Sequence, residues 1–297
     1  MTDSHYIRPD RVFLGENTRK EIRHALEQGQ LKAALIPLGA IEQHNEHLTL
    51  NVDIVISTFL CQQTALQMHP QVTVAPGCPV GYSPYHMARK GTLTLRKETL
   101  QAYLYDVICS LKTHGIQTVL TMNGHGGNTN LLSELLPQWR EELDMTLDEI
   151  SYFPALNNDS RAEILQGYHD LKDGRLDTVA RQTALNHASE EETALMLAIC
   201  PERVRPVTME EYDQKNLDYA HSLTDRVRTY LEPFSKEGWP QAGANPENPR
   251  DRARQEDALN ATTAKGEQLI GIFTRYIADH LQQMIQATEA GDTWPPV

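Results

Sequence analysis

Two short apolar runs constrain this chain most: Leu31–Leu38 (LKAALIPL) and Ile116–Met122 (IQTVLTM). Each breaks off at a polar turn containing a glycine, Gly39 in one case and Gly124 in the other. Runs this short, apolar throughout and bounded by turn residues, suit strands buried on both faces of a sheet. Segments of helical length and spacing lie between and after them: Ile54–Met68, Lys97–Thr113 and Asn128–Leu143. The second stops at His114-Gly115, and the third has Asn128 or Thr129 near its N-cap. Val72–Pro76 reads as a further short strand, followed by a Gly/Pro-rich loop to Gly91. Glu149–Phe153 reads as a weaker strand. Strands alternating with helices predict βαβ units, hence an α/β fold with a mostly parallel sheet covered on both faces.

Residues 155–186 are polar and weakly periodic, and are expected to run over the surface. A helix is expected over Glu190–Ile199, ended by Pro201. Residues 232–256 contain Pro233, Pro240, Pro246 and Pro249 and read as a loop. It is not a linker to a second domain, because only one amphipathic helix, Thr263–Gln286, follows, and one helix cannot make its own core. Residues 1–297 are therefore read as a single domain.

The 297 residues carry 27 Lys and Arg against 40 Asp and Glu, a formal charge of −13. That balance argues against tracking nucleic-acid phosphates or docking on anionic lipid. No stretch approaches 18 apolar residues, and Met1–Asp10 lacks an apolar signal core, so no membrane segment and a cytoplasmic location are expected. Cys61, Cys78, Cys109 and Cys200 are widely spaced, which fits neither a disulfide framework nor a zinc finger. Cys61, Cys109 and Cys200 are expected to pack as small hydrophobes. No GxGxxG or GxxxxGK[ST] follows a strand, which disfavours a nucleotide-binding fold.

In open parallel sheets, ligands bind beyond the carboxyl ends of the strands. The first run leads into Glu42-Gln43-His44 and then Asp53; the second leads into Asn123-Gly124-His125-Gly126-Gly127-Asn128. In extended backbone, Glu42 and His44 leave on the same side. Carboxylates with neutral imidazoles suit Zn²⁺, Mn²⁺ or Fe²⁺. Each motif alone also fits a structural turn; together, at two strand ends, they point to a metal, whether one ion or two. His187-Ala188-Ser189-Glu190-Glu191-Glu192-Thr193 opens a helix whose acidic first turn suits the macrodipole. Glu192, however, leads into an apolar run, and a carboxylate there needs a partner.

These residues resemble the creatininase (creatinine amidohydrolase) family. Ile36-Pro37-Leu38-Gly39 with Glu42-Gln43-His44 and Asp53 is similar to its PxGxxEQHGxHLPxxTD pattern. Residues 123–128 resemble NGHGGN, and His187–Thr193 resembles HAGxxET. Gly91-Thr92-Leu93-Thr94-Leu95 and Ala264-Lys265-Gly266 resemble its PGTISL and AxKG segments. The resemblance implies a three-layer α/β/α sandwich, a homohexamer built as a trimer of dimers, and two divalent ions per subunit, Zn²⁺ and/or Mn²⁺, with Fe²⁺ as a further candidate. Glu42 and His125 would hold one ion, His44 the other, and Asp53 would bridge. His187 matches a catalytic histidine.

The departures also carry information. Creatininase has a carboxylate two residues after the NGH histidine, where this chain has Gly127. Glu192, or else Glu190, would supply the missing ligand. Asn45-Glu46 stands where the family usually has Gly-Pro, and Arg89-Lys90 where Phe-Pro is common. No tryptophan falls in the motif loops: Trp139 is on an expected helix, and Trp239 and Trp294 lie elsewhere. Creatinine is thus not the expected substrate. The resemblance implies hydrolysis of a non-peptide, cyclic C–N amide bond of a small molecule, with a deformylase or peptidase as the alternative. In that scheme His187 moves a proton, Glu192 completes the site, and the Gly126-Gly127 backbone contacts substrate, while His86 is either a substrate contact or a solvated loop residue. Arg89 and Lys90 are either solvated loop charges or contacts for a substrate carboxylate. His47 is expected beside the ligands rather than among them.

Overall fold

The computed structural model describes Arg8 and residues 10–87, 89–152, 187–207 and 249–295. Four strands form one sheet in the order β2-β1-β3-β4: β1 (Ala33–Leu38), β2 (Val72–Val74), β3 (Thr118–Asn123) and β4 (Thr146–Ser151). All neighbours pair in parallel, and β1 meets β3 in a register that sets Leu38 against Asn123. The helices are α1 (Arg19–Glu27), α2 (Val52–Gln67), α3 (Lys97–Thr113), α4 (Thr129–Leu143), α5 (Glu190–Ile199), α6 (Pro249–Ala258) and α7 (Thr263–Ala290).

Alternation along β1 builds two cores. Ala33 and Leu35 face α2, α5 and α7, in a cluster with Ile56, Leu60, Leu195, Phe273 and Ile277. Ala34, Ile36 and Leu38 face α1, α3 and α4, in a cluster with Leu100, Leu104, Leu132 and Trp139. The sheet is therefore sandwiched between two helical layers, as expected from strands apolar on both faces. Leu35, Ile36 and Leu38 are fully buried, each contributing about 1.5–3 kcal/mol of transfer free energy.

Three details differ from the sequence reading. β4 begins at Thr146 rather than Glu149, since TLDEIS is half-buried and hides its strand pattern behind polar residues. The end of the expected 232–256 loop is helical: Pro249 opens α6, where a missing N–H costs nothing, and good helix formers follow. Helix α1 was not expected, although Thr18 and Glu21 form a capping box at its start. The expected surface run 155–186 and the first part of 232–256 lie outside the described residues. Among the cysteines, Cys61 and Cys78 are buried and Cys109 and Cys200 partly so, all of them free thiols. No helix among the described residues is long and apolar enough to cross a membrane.

Candidate metal centre

After β1 the chain crosses to β2 on one side; after β2 it returns to β3 on the other. The crevice between the β1 and β3 ends is thus the switch point of the sheet, and both motif loops open there. Two glycines let the start of α2 close on these ends. A Cβ on Gly39 would stand 2.4 Å from Ile54 N, and one on Gly124 2.4 Å from Asp53 O. The asparagines of the second loop tie it in place. Asn123 Oδ1 accepts from His125 N (3.1 Å), Asn128 Nδ2 donates to Gly39 O (3.3 Å), and Asn128 Oδ1 accepts from Tyr82 N (3.0 Å). The Gly91–Leu95 segment clamps the first loop: Leu93 N donates to Ile41 O, and Thr92 Oγ1 accepts from Gln43 N.

At the centre sits Asp53, buried in the first turn of α2. Its Oδ1 lies 3.0 Å from His44 Nε2 and its Oδ2 3.2 Å from His125 Nδ1. A second carboxylate backs each imidazole: Glu42 Oε1 is 3.4 Å from His125 Nδ1, and Glu192 Oε2 is 3.5 Å from His44 Nε2. The far nitrogens of both rings face carbonyls, His44 Nδ1 at Glu42 O (3.1 Å) and His125 Nε2 at Tyr82 O (3.0 Å). An imidazole donating to a carbonyl on one side presents its lone pair on the other. In their neutral forms both rings would turn these lone pairs to the carboxylates.

The third segment arrives through a strained turn. Ala188 has φ +53, a conformation costly for a residue with a Cβ. It turns its N–H to Glu192 Oε2 at 2.5 Å. Tyr152, at the end of β4, donates to Glu192 Oε1 at 3.3 Å. Glu190 points elsewhere: its carboxylate is 2.7 Å from Lys265 Nζ on α7. Of the two candidates, only Glu192 joins the cluster. Gly266 explains the late glycine, since a Cβ there would stand 2.0 Å from Ala194 O and part α7 from α5.

The remaining expected residues also gather here. His187 Nδ1 is 3.4 Å from Glu42 Oε1, and His86 Nε2 is 3.8 Å from the same oxygen. Gly126 and Gly127 form a single helical turn against His125, and a Cβ on Gly127 would strike Tyr85 Oη at 1.9 Å. His47 Nε2 pairs with Thr193 Oγ1 at 2.9 Å, linking the first loop to α5. Arg89 is buried rather than a solvated loop charge; Lys90 is exposed. Trp139 is packed on Tyr105 in the core, and Trp294 donates to Asp148, so neither lines the centre. Three contacts had no signal in the sequence reading: Tyr152 to Glu192, Ser83 donating to Glu42, and the amide of Gln43 between His86 and His187. Gln43 stood inside the Glu42-Gln43-His44 motif, though with no role assigned; the others come from other loops and strands.

Burial alone would raise the Glu42 carboxyl, but His125, His86 and His187 hold it well below the usual range. Burial would lower His44 and His125; Glu192 and Asp53 raise the first, and Glu42 and Asp53 the second, well above the usual imidazole range. Burial with the nearby His44 and His86 keeps His187 well below it. Burial and His44 likewise bring His47 down to about 4. Burial pushes Glu192 up despite His44. Glu42, His44 and Asp53 offer ligand atoms within 4.8 Å of one another, as do His44, His187 and Glu192. Asp53 Oδ2 is buried and accepts no hydrogen bond. A buried carboxylate oxygen in that state, on a side chain set between two imidazoles, fits a divalent cation.

The family model "Creatininase: Creatinine amidohydrolase" matches residues 15–281, and the chain belongs to the creatininase family. The creatinine amidohydrolase of Pseudomonas putida is 29% identical over 232 residues, which cover 71% of this chain and 84% of that protein. The 3-dehydro-scyllo-inosose hydrolase of Thermotoga maritima is 29% identical over 199 residues, 66% of this chain and 58% of that protein. A solved mutant creatininase of Zn-Zn type superposes with a TM-score of 0.67 at 25% identity, covering 93% of this chain and 98% of that one.

Proposed function

We propose that this chain cleaves a non-peptide, cyclic C–N amide bond of a small molecule, using two divalent ions, Zn²⁺ and/or Mn²⁺. The observation that carries the reading is Asp53, which turns one carboxylate oxygen to each of two imidazole nitrogens, each ring backed by a further carboxylate. Glu42, His125 and Asp53 would hold one ion; His44, Glu192 and Asp53 would hold the other. When bound, such ions act as Lewis acids and lower the pKa of water toward neutrality.

The chain's own residues supply the rest. Carbonyls of Glu42 and Tyr82 orient the two ligand imidazoles. Tyr152 and the Ala188 N–H hold the Glu192 carboxylate in place. His187, 3.4 Å from Glu42, moves a proton to the leaving nitrogen, a task for which imidazole is suited. The backbone of Gly126-Gly127 and the His86 ring contact the substrate carbonyl side, where donors stabilise developing negative charge. Among the described residues no tryptophan lines the centre, which supports a substrate other than creatinine. We also propose that residues 1–297 act as one domain, that six copies assemble as a trimer of dimers, and that the enzyme works in the cytoplasm.

The test is turnover by the Zn²⁺- or Mn²⁺-loaded protein on a panel of lactams, formamides and short peptides. Hydrolysis of a lactam, abolished by chelation and restored by metal, is the expected result. Turnover confined to peptides or formamides would replace this reading with a peptidase or deformylase.

A further inference from the structure

Glu42 Oε1, His86 Nε2 and His187 Nδ1 lie within 4.8 Å of one another, close enough for a further cation. Gln43 decides what this group does. Its Nε2 is 3.0 Å from His86 Nδ1 and 2.8 Å from His187 Nε2. Its Oε1 accepts the backbone N–H of Asn45 at 3.0 Å. A backbone N–H can only donate, so the amide oxygen must face Asn45 and the NH₂ must face the rings. That NH₂ has two protons and no acceptor capacity. Both ring nitrogens beside it therefore carry lone pairs, and each neutral ring has its proton on the opposite nitrogen. Those nitrogens are His187 Nδ1 and His86 Nε2, the two that face Glu42. The rings stack with centroids 4.6 Å apart and planes 16° apart, and both N–H edges face Glu42 Oε1.

We infer that Gln43 is a positioning residue that sets the tautomers of His187 and His86. They form a pair of N–H donors turned toward Glu42, not a third metal site. A lone pair is needed to bind a cation, and here both lie on the Gln43 side. His187 in this tautomer holds its proton on Nδ1, beside Glu42, so the proton it gives up in turnover is placed there by Gln43. This last role rests on the hydrolase reading; the tautomers do not.

The experiment is a long-range ¹H–¹⁵N correlation spectrum of Zn²⁺-loaded protein labelled with ¹⁵N-histidine, assigned with His86→Gln and His187→Gln. The expected spectrum shows His187 protonated on Nδ1 and His86 on Nε2. Gln43→Glu supplies an acceptor at the same reach and should move the His187 proton to Nε2. Gln43→Leu should give mixed tautomers with the wild-type zinc content. On any substrate turned over, Gln43→Glu should lower kcat about tenfold or more while KM changes little. An Nε2-protonated His187 in the wild type would overturn the inference. So would a metal-shifted His187 or His86 resonance, a third zinc per subunit, or tautomers unchanged in Gln43→Glu. The spectra decide this whether or not any amide is hydrolysed.

Discussion

His44 Nε2 lies 3.0 Å from Asp53 Oδ1, both side chains fully out of solvent, although one comes from the loop after β1 and the other from the first turn of α2. A buried imidazole and carboxylate in such contact form a pair whose removal is felt at once. Asp53→Ala and His125→Ala should each lose bound metal and lower turnover by at least ~10²-fold while the far-UV circular dichroism stays unchanged. Metal content by mass spectrometry is the check. Full activity in a metal-free His125→Ala protein would end the two-ion account.

The two neighbouring glutamates should behave differently. Glu192→Gln should reduce the bound metal, because its carboxylate faces His44. Glu190→Gln should keep the metal and lose stability instead, since it weakens the contact with Lys265. Metal titration and thermal melts of both variants separate these outcomes; the reverse pattern would return the ligand role to Glu190.

Metal binding should release protons. His44 and His125 titrate above the ordinary imidazole value of 6.5 in the metal-free protein. Their charged forms, paired with carboxylates, therefore stabilise that protein below pH ~6.5, and the contribution fades as pH rises through the raised values. A metal needs the deprotonated rings, so its affinity should climb over the same range. Calorimetry in buffers of different ionisation enthalpy should show the release. Melts with and without chelator should diverge as pH rises; a metal affinity flat with pH would contradict this.

Gly266→Ala should destabilise the fold by about 1–3 kcal/mol, because its Cβ would press on Ala194 O and push α7 from α5. Denaturant unfolding measures the loss. Since α5 carries Glu192, metal affinity should fall as well, although residue 266 touches no ligand. Wild-type stability and affinity in that variant would show that the two helices yield freely.

Much of the fold was legible because β1 and β3 bury both faces and so are apolar along their length. β4 was legible only in part: it is half-buried, and its Asp148 and Glu149 interrupt the pattern. In the centre, Glu42, His44, Asp53 and His125 stood out because each follows a strand end or opens a helix. Glu192 was ambiguous with Glu190 until the direction of the first turn of α5 was known. Ser83 and Tyr152 reach Glu42 and Glu192 from other segments, and no local pattern encodes a contact that the sheet creates.

The side chains around Asp53 come from the ends of β1 and β3, from α2, and from α5 far along the chain. They are spread along the chain from Glu42 to Glu192. On the ribosome, the first motif loop emerges with half a binding set, and α5 completes it only after more than half the chain has been made. On the two-ion proposal, metal capture is then a late event that follows long-range docking of α5 on the sheet, the kind of contact that forms slowly.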